Sequence, residues 1–194
     1  MPRLFTGIEI PADISERLAL LRGGIPGARW IDKENYHITL RFIGDIDMRT
    51  ADEVADALGR IDRTAFPVTI DGIGSFGTRK PHSIIARIQP SRALIELQAE
   101  QERLMQRLGL PAEQRKFTPH ITLARVRGVN AQEIANYLFQ RGGLVSRPFE
   151  ISEFVLFSSR NSVGGGPYVV EEAYPLMQRA PANDGSFDGR AASA

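Results

Sequence analysis

Cysteine is absent from the 194 residues. That excludes disulfides, thiolate nucleophiles and any zinc site built on sulfur, and it fits a reducing compartment. Long apolar runs are missing too: nothing approaches the ~20 consecutive residues that a spanning helix needs. The opening "MPRLFTGIEIP" has one Arg and a short apolar run before Pro11, too little for a secretory leader. A cytoplasmic chain without membrane contact is expected. Net charge is only +1, so bulk charge announces no polyanionic partner. Lysine is scarce, at Lys33, Lys80 and Lys116, and arginine supplies the rest of the 24 basic residues. Arginine suits bidentate phosphate contacts, although an Ala- and Arg-rich composition accounts for the excess equally simply.

Histidine is the most informative scarcity. There are three, and two of them open the same tetrapeptide: "HITLRFIG" at 37–44 and "HITLARV" at 120–126. The surrounding pattern explains the repetition. "RLFTGIEI" (3–10) reads as a strand stopped by Pro11. Asp13 and Glu16 have capping-box spacing before Ile14, Leu18 and Leu21 on one helical face, and "GGIPG" (23–27) breaks that helix. "YHITLRFIG" is a second strand. Thr50 and Glu53 repeat the capping spacing before Val54, Leu58 and Ile61, and "FPVTIDGIGSFG" (66–77) is a third strand.

The order then starts again. "HSIIARIQP" (82–90) is a strand ending in Pro. Ser91 can cap a helix carrying Leu94, Leu97, Leu104 and Leu108, stopped near Gly109. "FTPHITLARV" (117–126) is the second motif strand. Asn130 and Glu133 cap a helix through Ile134 and Leu138, and "RPFEISEFVLFSS" (147–159) matches the strand at 66–77. A period of about 80 residues is too long for a solenoid repeat. The expected fold is α+β: two pseudo-symmetric lobes, each an antiparallel sheet with helices, around a central cleft. Residues 1–177 form this single bilobal domain, with a strand from 168 to 177. The stretch 178–194, poor in core-forming residues, is expected to be a flexible tail.

On a strand His37 and Thr39 share one side, Ile38 and Leu40 the other, and His120, Thr122, Ile121 and Leu123 repeat the arrangement. The apolar pairs can anchor the strands. The polar pairs would then meet across the cleft, as two imidazoles and two hydroxyls around one small volume. A single His-x-Thr on a strand carries little information. Two copies at matching places of a duplication carry much more, because packing requires Ile and Leu but not His and Thr. Such a set suits phosphoryl transfer: a neutral imidazole accepts a proton, an imidazolium donates one, and the hydroxyls bind non-bridging oxygens. Each motif offers one metal ligand and no carboxylate at fixed spacing, and His82 begins a different strand, so neither metal nor other cofactor is expected.

"HITLRFIGD" and "HITLARV", with "RLFTGIEIP", "ARWIDKENYHITLRFIGDI", "FTPHITLARV" and the closing "VLFSSR…Y…YPL", resemble the 2H phosphoesterase superfamily. The likeness is greatest to the RNA 2′,3′-cyclic phosphodiesterases, also called the 2′-5′ RNA ligase family, and runs from about residue 3 to 177. It implies a bilobal fold in which His37 is the proton donor, His120 the proton acceptor, and Thr39 and Thr122 hold the phosphate. It also implies metal-free hydrolysis of a 2′,3′-cyclic phosphate, on RNA ends or nucleosides, to a 2′-phosphate. Forming or breaking 2′-5′ RNA linkages would be a side activity with a sugar hydroxyl in place of water. A non-catalytic binder of nucleotides or RNA termini is the alternative, although it would not need both imidazoles. A monomer is expected.

Secondary candidates remain. Arg125 matches a basic position of the family and is a phosphate-binding candidate. By strict alternation it points away from His120, so either a bulge re-aims it or it serves the surface. Arg41 shares parity with His37 and Thr39 and could line the cleft mouth. Phe5, Trp30 and Tyr168 could stack on a base; Phe42 shares parity with Ile38 and Leu40 and is the weakest of these. His82 reads as structural or exposed, and "SSRNSVGGGPY" (158–168) lacks the GK[ST] of a P-loop and reads as a loop at the cleft rim.

Overall fold

A computed structural model describes residues 3–77, 79–159 and 166–178. Its strands are β1 (Arg3–Glu9), β2 (Arg29–Trp30), β3 (His37–Asp45), β4 (Phe66–Val68), β5 (Ile70–Phe76), β6 (Ser83–Ile88), β7 (His120–Arg125), β8 (Phe149–Ile151), β9 (Glu153–Ser159) and β10 (Tyr168–Pro175). The α-helices are α1 (Ala12–Ala19), α2 (Met48–Leu58), α3 (Arg92–Arg107) and α4 (Ala131–Arg141). The expected tail beyond Gln178, and residues 160–165 of the expected rim loop, lie outside the described residues. No helix among the described residues is long and apolar enough to cross a membrane.

The duplication is visible in the strand order β10-β9-β1-β3-β7-β6-β5, with every pairing antiparallel. The triplet β9-β1-β3 of one half faces its equivalent β5-β6-β7 of the other across a pseudo-dyad. The two motif strands are the neighbours at that dyad, joined through the single pair Ile38↔Ile121. Both isoleucines are fully buried. The two expected pseudo-symmetric lobes are thus joined edge to edge at the motif strands. The third strand of each half is broken into two, and β4 and β8 pair with each other.

Leu40 and Leu123, the last letters of the two tetrapeptides, are both bulge residues. On β1, Thr6 pairs with Arg41 and Gly7 with Thr39, which leaves Leu40 unpaired. On β6, Ile84 pairs with Ala124 and Ile85 with Thr122, which leaves Leu123 unpaired. A bulge adds one residue to one strand and resets the alternation beyond it. Leu40 with Arg41, and Leu123 with Ala124, are consequently buried in succession. Phe42 and Arg125 turn back to the face that carries the histidines.

The reset buries most of Arg41. It still lines the cleft, as expected, but is 6% exposed and reaches α3, where it pairs with Glu102 and donates to the carbonyls of Phe42 and Pro111. Beside it, Thr6 Oγ1 donates to Gln101 Oε1 at 2.5 Å. The buried stripe of α3 is Leu94, Leu97, Gln101 and Met105. Leu104 and Leu108, expected on that stripe, are only partly buried. Successive steps of four from Leu97 lead to Gln101 and Met105, and Gln101 is accommodated because Thr6 meets it.

Two of the four expected caps form, one is replaced by a neighbouring residue and one does not form. Ser91 Oγ accepts from Leu94 N and the Asn130–Glu133 box closes. The helix expected to start at Thr50 starts at Met48, capped by the Asp47 carboxylate on Thr50 N. Pro11 precedes α1 without a side-chain cap, and Asp13 instead bonds Arg147 at 2.7 Å.

Removing one member of a buried ion pair strands the other charge, at a cost of roughly 3–5 kcal/mol. Arg41→Met should therefore destabilise the protein strongly in urea unfolding, and Arg41→Met with Glu102→Leu should recover most of the loss.

Candidate active site

The face opposite the Ile38–Ile121 contact opens into a cleft of about 710 Å³, lined by His37, Thr39, His120, Thr122 and Arg125. Extending the Ile38↔Ile121 register by one residue each way sets His37 beside Thr122 and Thr39 beside His120. Each histidine thus has a threonine two residues along its own strand and another across the dyad. The four side chains come together as the motif predicts.

The two imidazoles are held in the same way. His37 Nδ1 lies 2.8 Å from Asn35 O, and His120 Nδ1 lies 2.7 Å from Thr118 O. A carbonyl only accepts, so each Nδ1 carries the hydrogen and each Nε2 keeps its lone pair in the neutral ring. His37 Nε2 then accepts from Thr39 Oγ1 at 3.1 Å. The carbonyls two residues before each histidine were not anticipated from the sequence. A backbone acceptor has no letter of its own, although the matching offsets in "NYH" and "TPH" could have prompted the question.

The surroundings are less symmetric. Phe157 and Phe76 are equivalent in the two halves: Phe157 pairs with Phe5 on β1, and Phe76 with Ser83 on β6. Phe157 lies 5.5 Å from His37, and Phe76 meets His120 edge-on at 4.7 Å. Gly7 makes room for the first of these, since a Cβ there would stand 3.1 Å from the Phe157 ring and 2.9 Å from Ile38 O. Beyond this pair the halves diverge. Phe5 and Tyr168 add rings 5.1 and 5.0 Å from His37, whereas Ser83 stands in the place of Phe5 beside His120.

Electrostatics follow this packing. Burial pushes His37 down to about 4, opposed by its bond to Asn35 O and reinforced by the charges of His120 and Arg125. Burial also lowers His120, opposed by Thr118 O and reinforced by Arg125. Near neutral pH both rings in the free protein are neutral. No cluster of three His, Cys, Asp or Glu among the described residues could hold a metal ion.

The secondary candidates separate cleanly. Arg125 reaches the cleft because the Leu123 bulge re-aims it. Phe42, ranked weakest on parity, is 40% exposed on the cleft wall with Arg3 5.5 Å over its ring. Tyr168 lines the cleft, while Phe5 is buried at its base. Trp30 faces the other way and packs against Tyr137. His82 is exposed at the rim, stacked on Phe76.

Comparison with known proteins gives the same outline. The family described as LigT-like phosphoesterase matches the chain twice, over residues 8–86 and 88–168. The RNA 2′,3′-cyclic phosphodiesterase of Aeropyrum pernix is 31% identical over 151 residues, covering 74% of this chain and 85% of that protein. The protein of the same name from Escherichia coli is 29% identical, covering 91% and 97%. The crystal structure of E. coli LigT complexed with 3′-AMP superposes with a TM-score of 0.71 at 27% identity, over 92% of this chain and all of that one. With the family matched once in each half, and each half placing its own His-x-Thr at the dyad, the chain belongs to the LigT-like phosphoesterases, a family of 2H phosphoesterases.

Proposed function

We propose that this protein hydrolyses the 2′,3′-cyclic phosphate at an RNA or nucleoside end to a 2′-phosphate, by paired histidine acid–base catalysis without a metal ion. The observation that carries this reading is the pair of imidazoles held through Nδ1 by backbone carbonyls in the cleft, each with Nε2 left as the acceptor nitrogen, that of His37 already met by the Thr39 hydroxyl. The names of the relatives supply the substrate class.

His120, on the side with fewer rings, acts as base. Its Nε2 takes a proton from water, and the water oxygen attacks phosphorus. The P–O3′ bond breaks in line with that attack, and O3′ takes the proton from Nε2 of protonated His37. The P–O2′ bond survives, giving a 2′-phosphate, and solvent returns both rings to their starting states. Thr39 and Thr122 donate to the non-bridging oxygens, where charge grows in the transition state. Arg125 adds positive charge at the same phosphate. A sugar hydroxyl in place of water would form or, in reverse, break a 2′-5′ linkage, which is the proposed ligase side activity.

The aromatic enclosure of His37 suits the acid role. An imidazolium held at a lowered pKa is a stronger proton donor, and the dianionic character of the transition state offsets the cost of charging it. The bound phosphate also raises both imidazoles relative to the free protein.

His37→Ala and His120→Ala should each lower kcat by ~10²–10⁴-fold. The double variant should fall far short of the product of the two losses, because groups in one proton-transfer scheme are not additive. Steady-state rates on adenosine 2′,3′-cyclic phosphate test this, and an unchanged kcat in either single variant would refute the pairing.

The pH profile follows from the signs of the two shifts. Both histidines of the free protein titrate below the ordinary ~6.5. The base is therefore already competent at mildly acidic pH, and the acid loses its proton early as pH rises. The bell-shaped profile of kcat/KM should peak below 6.5, and that of kcat at higher pH. Activity should persist in excess EDTA. A peak above neutrality, or loss on chelation reversed by zinc or manganese, would contradict this scheme.

The product is decided by which oxygen leaves. Phosphorus NMR against authentic 2′- and 3′-nucleotides should show the 2′-phosphate alone. A 3′-phosphate would mean that His37 and His120 exchange roles.

A further inference from the structure

β2 pairs with β7 in the register Arg29↔Arg125 and Trp30↔Ala124. Residues directly opposite on antiparallel strands project to the same face with Cβ atoms roughly 5 Å apart. Trp30 and Ala124 share the core face, so Arg29 and Arg125 share the cleft face. Two like charges placed opposite each other repel and cost stability. Among the described residues, neither arginine has a carboxylate partner or a side-chain hydrogen bond, although most other arginines of this face or its rim do. Arg3 has Asp45, Arg41 has Glu102 and Arg115 has Glu113. Both are exposed; Arg125 lines the cleft, and Arg29 stands directly across from it on the adjoining strand.

Its position relative to the reacting phosphate is set by the bulge. With Leu123 taken out of the alternation, Arg125 stands one cleft-facing position beyond Thr122. That step is roughly 6.6 Å along a strand, comparable with the separation of successive phosphates along a nucleic-acid strand. Arg29 lies one strand further out. The position equivalent to Arg125 in the other half is Phe42, beneath an Arg3 already paired with Asp45, so the two sides differ in kind: one aromatic with its cation neutralised, one carrying two arginines without a carboxylate partner.

We propose that Arg29 and Arg125 form a subsite for a second phosphate, the phosphodiester on the 5′ side of the terminal nucleotide. Resting on the phosphodiesterase reading above, this makes the substrate an oligoribonucleotide end, with a nucleoside cyclic phosphate a poorer substrate. Arg125 stands between the two phosphates, and Arg29 meets only the second. A bound phosphodiester would relieve the repulsion between the guanidinium groups and satisfy their donors with charge-assisted hydrogen bonds.

The test compares three substrates: adenosine 2′,3′-cyclic phosphate, the ApA dinucleotide ending in a 2′,3′-cyclic phosphate, and that dinucleotide with a neutral methylphosphonate linkage. A hydrogen-bonded charge contact is worth about tenfold or more. The wild type should thus favour the charged dinucleotide over both others by at least about tenfold in kcat/KM. In Arg29→Ala that ratio should fall towards one, and in Arg29→Lys part of it should remain. The slope of log kcat/KM against log salt for the charged dinucleotide should also flatten by ~0.7 in Arg29→Ala, the value for one single-strand phosphate contact. A wild type indifferent to linkage charge, or an Arg29→Ala variant that keeps the ratio, would overturn the subsite. Calorimetric binding of the two dinucleotides separates the two readings. If no substrate is turned over, the phosphodiesterase reading fails. The subsite still stands if charge-dependent binding is lost in Arg29→Ala, and falls if binding ignores the linkage charge.

Discussion

The contact between Ile38 and Ile121 is the constraint on which the rest of the site depends. It is the one place where the motif strands pair, and it lies at the pseudo-dyad relating the halves. Because side chains alternate along a strand, anchoring these isoleucines in the core forces their neighbours out on the other face. Two imidazoles and two hydroxyls are thereby delivered to one cleft. A slip of one residue on either strand would bury a histidine and expose an isoleucine, so the hydrophobic effect enforces the register that the chemistry needs.

Within that symmetric frame the halves differ, as the proposed reaction requires. The ring of Phe157 and that of Phe76 are common to both. Phe5 and Tyr168 enclose only His37, because Ser83 replaces Phe5 in the second half and β10 extends the sheet beside β9 alone. The enclosure removes water, and removing water is what drives the imidazole of His37 so far below its usual range. One duplicated strand thus yields two histidines in unequal surroundings, which suits the separate acid and base roles proposed for them.

A good part of this was legible in the letters. Strand–Pro–helix–motif order, repeated after about 80 residues, is local information, and so are the Ser91 and Asn130 caps. The helix at Met48 shows the limit. Thr50–Glu53 has the spacing of a capping box, but Asp47 has the same spacing to Thr50, and its carboxylate wins by taking both the amide and the hydroxyl. The stripe of α3 shows another limit, since a glutamine looks misplaced until Thr6, from the other half, is found to meet it.

The sequence by itself determined that two equivalent His-x-Thr pairs present themselves on one face, because a repeated tetrapeptide on two strands carries its own face assignment. It could not determine what lies beyond Leu40 and Leu123. Strict alternation sends Arg41 into the cleft and keeps Phe42 and Arg125 out of it; the two bulges bring Phe42 and Arg125 into the cleft and leave Arg41 at its edge, mostly buried against α3. A bulge is settled by how a strand sits against its neighbours, here β1 and β6, and by what fills the core behind it. Arg41 finds Glu102 on α3, and Ala124 finds no polar need at all. The cleft walls, and the meeting of Arg29 with Arg125, are products of cross-strand register, which exists only once strands far apart in the chain have been brought side by side.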